Sequence, residues 1–165
     1  MKKTNAVRLL DNLGITYQLL DYEVNIEDLA AETTAKKVGL PPEQVFKTLV
    51  VHSNTKNIYF AVIPGNSYLD LKAIAKLIGN KPTATLRERK IEMVPLQDVQ
   101  SLTGYIRGGV TALASKKDYP VYVDETIGVF EKIAVSAGVR GTLILLTPKD
   151  YLQAVNGTLG AICGF

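Results

Sequence analysis

A lysine interrupts an otherwise apolar run, Val45-Phe46-Lys47-Thr48-Leu49-Val50-Val51, and a charge in that setting is the first sign of chemistry in this chain. The β-branched residues and the phenylalanine mark the run as a strand, whose side chains alternate between two faces. Val45, Lys47, Leu49 and Val51 share one face, while Phe46, Thr48 and Val50 share the other. Both faces are largely apolar, as in a strand covered on both sides. An ammonium group there must be paired, reach water past its neighbours, or serve a site. The alternative is structural: a lysine on an edge strand discourages sheet-to-sheet aggregation.

Two glycine-rich segments could hold a ligand near such a charge. In Gly104-Tyr105-Ile106-Arg107-Gly108-Gly109-Val110-Thr111, three close glycines can bring backbone amides up to a bound group or take positive φ. The spacing matches neither the P-loop nor the dinucleotide fingerprint, so a tight connection between strands is the competing reading. In Ser136-Ala137-Gly138-Val139-Arg140-Gly141, glycines flank an arginine able to grip a phosphate or carboxylate through two parallel hydrogen bonds. A plain turn between strands explains that segment equally well. His52 is the only histidine and Cys163 the only cysteine, which leaves no metal set and no Ser-His-Asp or Cys-His pair. No metal and no cofactor is expected. Cys163 reads as a small buried hydrophobe, and His52 as a surface residue beside a turn.

These residues need elements to position them. Thr4 or Asn5 can cap a helix through Leu13, with Val7, Leu10 and Leu13 inward and Gly14 as its stop. Ile15 to Tyr22 reads as a strand, and Glu27 to Val38 as a helix with early acids at its positive end. Ser53 to Asn57 is a turn leading to a hairpin partner, Ile58 to Ile63. Asp70 caps a helix that buries Leu71, Ile74, Ala75 and Ile78 and ends at Gly79. Thr83-Ala84-Thr85 reads as a short strand, Arg87 to Met93 and Pro95 to Leu102 as short helices. Val121 to Asp124, Ile133 to Ser136 and Leu143 to Leu146 read as buried strands. A last helix opens with Thr147 as cap and Pro148 at its first position.

The totals fit this picture. At 165 residues, 47% hydrophobic and 21% charged, the chain suits one mixed α/β domain over residues 1–165. Strands and helices interleave irregularly, which argues against a doubly wound sheet. Nineteen basic against sixteen acidic side chains give a net charge of +3, without a basic tail or stripe, so any RNA contact needs a patch assembled by folding. No run of about 18 apolar residues is available to span a membrane. A lone cysteine and the absence of a signal-type leader point to the cytoplasm.

Taken together, Asp21-Tyr22, Val45-Phe46-Lys47-Thr48-Leu49, Gly104-Tyr105-Ile106-Arg107-Gly108-Gly109, the Ser136–Gly141 segment and Thr147-Pro148-Lys149-Asp150-Tyr151-Leu152 resemble the YbaK/EbsC family of aminoacyl-tRNA deacylases. The editing domain inserted in bacterial prolyl-tRNA synthetases is related. The resemblance runs over nearly the whole chain and implies an α+β fold built round a largely antiparallel, partly barrel-like sheet. It implies hydrolysis of the ester between an amino acid and the tRNA 3′ end, chiefly cysteine or alanine mischarged onto tRNA for proline. Aminoacyl-tRNA is then the partner, with prolyl-tRNA synthetase a second one.

Carried over residue by residue, the resemblance places the family's essential lysine on Lys47, its strand-end tyrosine on Tyr22 and its late carboxylate on Asp150. Gly108 and Gly109 would line the aminoacyl pocket, with Thr111, Gly138 and Arg140 as further substrate contacts. Lysine can donate to carbonyl or ribose oxygens, and loop amides can hold an oxyanion. The attacking group is then water or, for a cysteinyl ester, the substrate's own thiol. Asp150 could pair with Lys47, orient the substrate amine, or serve only the helix dipole. One departure concerns substrate choice: the usual Gly-Gly-x-Ser-Pro-x-Gly reads here Gly108-Gly109-Val110-Thr111-Ala112-Leu113-Ala114. If those residues form the pocket wall, the accepted amino acid shifts. A non-catalytic module that binds a tRNA end, a nucleotide or a synthetase is the alternative function, and a purely structural interaction protein the third.

Overall fold

A computed structural model describes residues 3–80 and 90–164. The chain opens with α1 (Asn5–Asn12), β1 (Gln18–Asp21) and α2 (Ala31–Val38), and a 3-10 turn (Pro42–Gln44) leads into β2 (Phe46–Ser53). There follow β3 (Ile58–Pro64), β4 (Tyr68–Leu69), α3 (Leu71–Gly79), β5 (Ile91–Met93) and α4 (Leu96–Thr103). The last part holds β6 (Val121–Asp124), β7 (Ile133–Ser136), β8 (Thr142–Leu146), α5 (Pro148–Val155), β9 (Thr158–Gly160) and β10 (Cys163–Gly164). None of the described helices is long and apolar enough to cross a membrane.

A five-stranded sheet of order β5-β2-β3-β6-β9 forms the centre, antiparallel as far as β3 and parallel beyond it. Beside it lies an antiparallel β1-β8-β7 sheet, tied to the first by one bridge between Val45 and Ala134. Most pairings are antiparallel and the sheets do not close into a barrel.

The Val45–Val51 run feeds all three apolar clusters. Phe46 and Val50 enter the main core with α1, α4 and α5 residues such as Leu10, Val99 and Tyr151. On the opposite face, Leu49 and Val51 pack with Ile74 and Ile78 of α3, while Val45 joins Ala35, Ala134 and Leu143. The alternation expected of the Val45–Val51 run is therefore present, and Lys47 falls in the seam between the two smaller clusters.

Most helix signals act as anticipated. The Thr4 hydroxyl accepts from Val7 N–H, Asp70 from Ala73 N–H and Thr147 from Asp150 N–H. Four details differ. Leu13 is 45% exposed, because the helix has already ended when it is reached. Glu27 and Asp28 do not open α2: the Asn25 and Asp28 carboxamide and carboxylate oxygens accept from Glu27 and Ala30 N–H, which holds these residues in turns. Ile91–Met93, expected as helix, pairs with Val51–Ser53 as a strand. Pro95 sits at the N-cap of α4 rather than at its first helical residue. The expected strand Thr83–Thr85 lies outside the described residues.

Ala114 adopts φ 53, a left-handed conformation, at the place where the motif has its last glycine. Its Cβ is strained there by about 1 kcal/mol. Ala114→Gly is therefore expected to raise stability by several tenths to about 1 kcal/mol, the gain being trimmed by the added freedom of the unfolded chain. An urea midpoint at or below that of the native protein would contradict this.

Candidate active site

The antiparallel ladder leaves a gap in β2. Strand β5 pairs with Val51–Ser53 and β7 is bridged only to Val45, so among the described residues no strand pairs with the edge between them. A cleft of about 550 Å³ opens at this gap. Its walls come from β2, from Glu27–Glu32 before and at the start of α2, from Met93–Val99, and from Arg107, Gly108 and Val110 of the glycine loop. A volume of this size suits a small-molecule or cofactor-sized group.

Lys47 lies on that wall. Its Nζ donates to Gly65 O at 3.2 Å, and Gly65 lines the same cleft. The ammonium has three donors, so two remain for a bound group. Burial pushes its pKa below the usual lysine range, opposed by the field of the Glu32 carboxylate. Gly65 allows this geometry: a Cβ there would stand 3.0 Å from Val45 O and 3.1 Å from Ala31 Cβ.

Tyr22 also lines the cleft, immediately after β1, where its N–H donates to Gly141 O at 2.9 Å. The same turn organises the glycine loop. Arg140 Nε donates to Arg107 O at 2.8 Å, and a Cβ on Gly109 would come within 3.1 Å of the Val139 backbone. Gly138, at φ 92, lies against the ring of Tyr105, whose hydroxyl donates to Leu113 O at 2.6 Å and to Ala114 O at 3.0 Å. Thr4 Oγ1 donates to Ala137 O at 2.6 Å, anchoring the turn to the first helix. The Ser136–Gly141 turn thus positions Tyr22 on one side and the glycine loop on the other.

The structure sorts the residues singled out in the sequence. Lys47, Tyr22 and Gly108 share the cleft. Gly109 does not line it, and its N–H is committed to Ile106 O at 2.9 Å, so Gly108 is the glycine whose amide can face a bound group. Gly138 and Arg140 stand behind the wall. Thr111 is fully buried, with Oγ1 accepting from Leu113 N–H, and Ala112 and Leu113 are buried beside it. The altered Thr111-Ala112 pair therefore builds the core under the loop and not the cleft wall.

Asp150 also lies outside the lining, in the first turn of α5. Asp150→Asn is expected to change turnover less than twofold, since Asp150 does not line the cleft; a hundredfold loss would restore it to the site. Cys163 packs against the α3-side cluster, and burial pushes its thiol up to about 11, which suits a packed hydrophobe rather than a nucleophile. His52 stands at the β2–β5 edge, 4.0 Å from Glu92. Among the described residues no group of His, Cys, Asp and Glu is placed to hold a metal ion. Sequence reading missed Gly65 and the cleft residues Thr48, Val50, Val94 and Val99, because nothing local distinguishes a strand with a gap at its edge from one fully paired.

Comparison with known proteins bears on this cleft. A family described as "Aminoacyl-tRNA editing domain" matches residues 27–154. The chain is 39% identical over 161 residues to "Putative Cys-tRNA(Pro)/Cys-tRNA(Cys) deacylase EbsC" of Enterococcus faecalis, covering 98% of this chain and 93% of the relative. Among solved structures, "hypothetical protein APE2540" superposes with a TM-score of 0.85 at 22% identity, over 98% of this chain and all of the other. "A putative trans-editing enzyme for prolyl tRNA synthetase" superposes at 0.77 and 21% identity, over the full length of both. At that identity these two structures speak for the fold alone.

Proposed function

The chain belongs to the aminoacyl-tRNA editing domain family, and from that premise we propose that it hydrolyses the ester joining a misattached amino acid to the tRNA 3′ end. Cysteine on tRNA for proline is the first substrate, after the name of the Enterococcus relative, and alanine the second. The observation that carries this reading is Lys47, a half-buried ammonium that makes one hydrogen bond among the described residues, set in a cleft shared with Gly108 and Tyr22.

In this reading the ester carbonyl oxygen receives hydrogen bonds from Lys47 and Gly108 as negative charge develops on it. Water adds to the carbonyl carbon, the C–O bond to the ribose breaks, and the leaving oxygen takes a proton. For a cysteinyl ester the substrate thiol can replace water: sulfur bonds to the carbonyl carbon and its proton passes to the leaving ribose oxygen. The reaction runs in trans on tRNA supplied with help from prolyl-tRNA synthetase, since a net charge of +3 supports only a modest and salt-sensitive grip on RNA.

The test is release of amino acid from tRNA for proline charged separately with Cys, Ala, Ser and Pro. Multiple turnover on Cys or Ala, with Pro spared, is expected. Binding of the charged tRNA without cleavage of any ester would replace this reading with that of a binding module.

A further inference from the structure

Two opposite charges meet at one end of the cleft without pairing. Lys47 and Glu32 both line it. The Lys47 ammonium is anchored on Gly65 O at 3.2 Å, and Gly65 packs on the first residue of α2, where an added Cβ would stand 3.1 Å from Ala31 Cβ. Glu32 is the next residue of that helix, in its first turn. Yet among the described residues no ion pair joins the two, and the Glu32 carboxylate accepts no hydrogen bond.

The other carboxylates of the lining, Glu27 and Asp28, are placed differently. Both oxygens of Asp28 are engaged, Oδ1 by Ala30 N–H at 3.2 Å and Oδ2 by the Thr33 hydroxyl at 2.8 Å. Glu27 belongs to the turn that Asn25 closes, and it also faces the neighbouring hollow that holds Lys37. Asp150 lies off the lining altogether. Glu32 is thus the uncommitted carboxylate beside Lys47. Burial lowers the Lys47 pKa and the Glu32 carboxylate acts against this, as expected of charges that face each other across a short gap.

We infer that Glu32 receives the α-ammonium of the aminoacyl group while Lys47 holds its carbonyl oxygen, so that the cleft selects esters whose amine is free and spares tRNA carrying an N-acylated residue or a peptide. An α-amino ester bears its ammonium and its carbonyl oxygen on adjacent carbons. A carboxylate and an ammonium held apart at one end of a cleft complement that pair of groups. The bond from substrate ammonium to carboxylate is charge-assisted, about twice as strong as one between neutral groups. Acylation of the amine removes the charge and leaves a single N–H, and a site that hydrogen-bonds a substrate group rejects the analogue lacking it more strongly than an apolar pocket rejects one methylene. This inference rests on the deacylase reading.

The test measures binding without reaction. Adenosine carrying an alanyl, propionyl or N-acetylalanyl group through a non-hydrolysable 3′-amide is titrated into the protein by calorimetry. The native protein is expected to bind the alanyl amide about tenfold more tightly than the propionyl amide, which lacks only the amine. The N-acetylalanyl amide should bind no better than the propionyl one. Glu32→Gln, which keeps the shape, should bring the alanyl-to-propionyl ratio close to one, whereas Glu27→Gln should keep that ratio. If Glu32 serves only the positive end of α2, its loss weakens both amides alike and the ratio stays at the native value. A ratio near one in the native protein, no measurable binding of either amide, an unchanged ratio in Glu32→Gln, or its collapse in Glu27→Gln overturns the inference. Failure of the deacylase reading is seen separately, as absence of ester hydrolysis by the native protein.

Discussion

Lys47→Met is expected to lower deacylation by roughly 10²–10³-fold, the scale seen when one oxyanion donor is removed, while leaving stability within about 1 kcal/mol of the native protein. The two effects part because the lysine stem and its ammonium do different things. The stem fills the seam between the α3-side cluster and the Val45–Ala35 cluster, and methionine fills it as well. The ammonium is held partly out of water by one bond to Gly65 O, a costly placement with little return to the fold. Its pKa lies below the ordinary lysine value because burial outweighs the Glu32 field. Between that lowered value and the ordinary value of 10.5, the unfolded chain holds the proton more tightly than the folded one. The native protein must therefore gain stability relative to Lys47→Met as pH rises through this window. Activity runs the other way and falls over the same window, since the deprotonated amine has no charge for the oxyanion. Parallel urea titrations and single-turnover rates from neutral to alkaline pH check both slopes. Loss of folding in Lys47→Met, or full turnover without the ammonium, would remove the lysine from its role.

Much of this was legible in the sequence where local chemistry decides structure. Alternation in Val45–Val51 implied a strand covered on both faces, and Thr147-Pro148 fixed the start of α5, because capping and proline geometry act within a few residues. Ile91–Met93 failed for the opposite reason. Its strand state depends on pairing with Val51–Ser53, forty residues away, and nothing in its own window announces that partner. The two-residue strands β4 and β10 exist only as each other's partners. Asp28 carried an ambiguous signal, since an acid before a helix can sit in its first turn or bond locally in a turn that delays it. The site divides in the same way. Lys47 stands out by type, whereas the open edge of β2 and the acceptor Gly65 are products of register. Asp150 illustrates the converse: a carboxylate that stands out by type in its motif lies in the first turn of α5 and not on the cleft lining.

Gly138→Ala should be the most damaging substitution outside the cleft, costing roughly 2–4 kcal/mol. Gly138 takes φ 92, which a side chain resists, and a Cβ there would stand 2.8 Å from the Tyr105 ring. That ring cannot yield easily, because its hydroxyl is fixed by Leu113 O and Ala114 O deep under the glycine loop. Something larger must move, and what moves is the Ser136–Gly141 turn. Through Gly141 the turn holds the Tyr22 backbone, and through Arg140 it holds Arg107 beside Gly108. Turnover is therefore expected to fall further than the folded fraction, measured at a temperature where the variant remains folded. Tyr105→Phe tests the linkage from the other side. It leaves the ring but strands the buried Leu113 carbonyl oxygen and the partly buried Ala114 one, at a cost of about 1–3 kcal/mol, without the steric insult. Burial pushes the Tyr105 phenol up to about 12, so it remains a donor across the working range and this cost should not vary with pH below about 11. If the turn transmits the strain, the catalytic defect of Gly138→Ala will be relieved in part by Tyr105→Leu, which withdraws the clashing ring edge. Equal losses in the single and double variants would mean that backbone strain at Gly138, and not its contact with Tyr105, governs the turn.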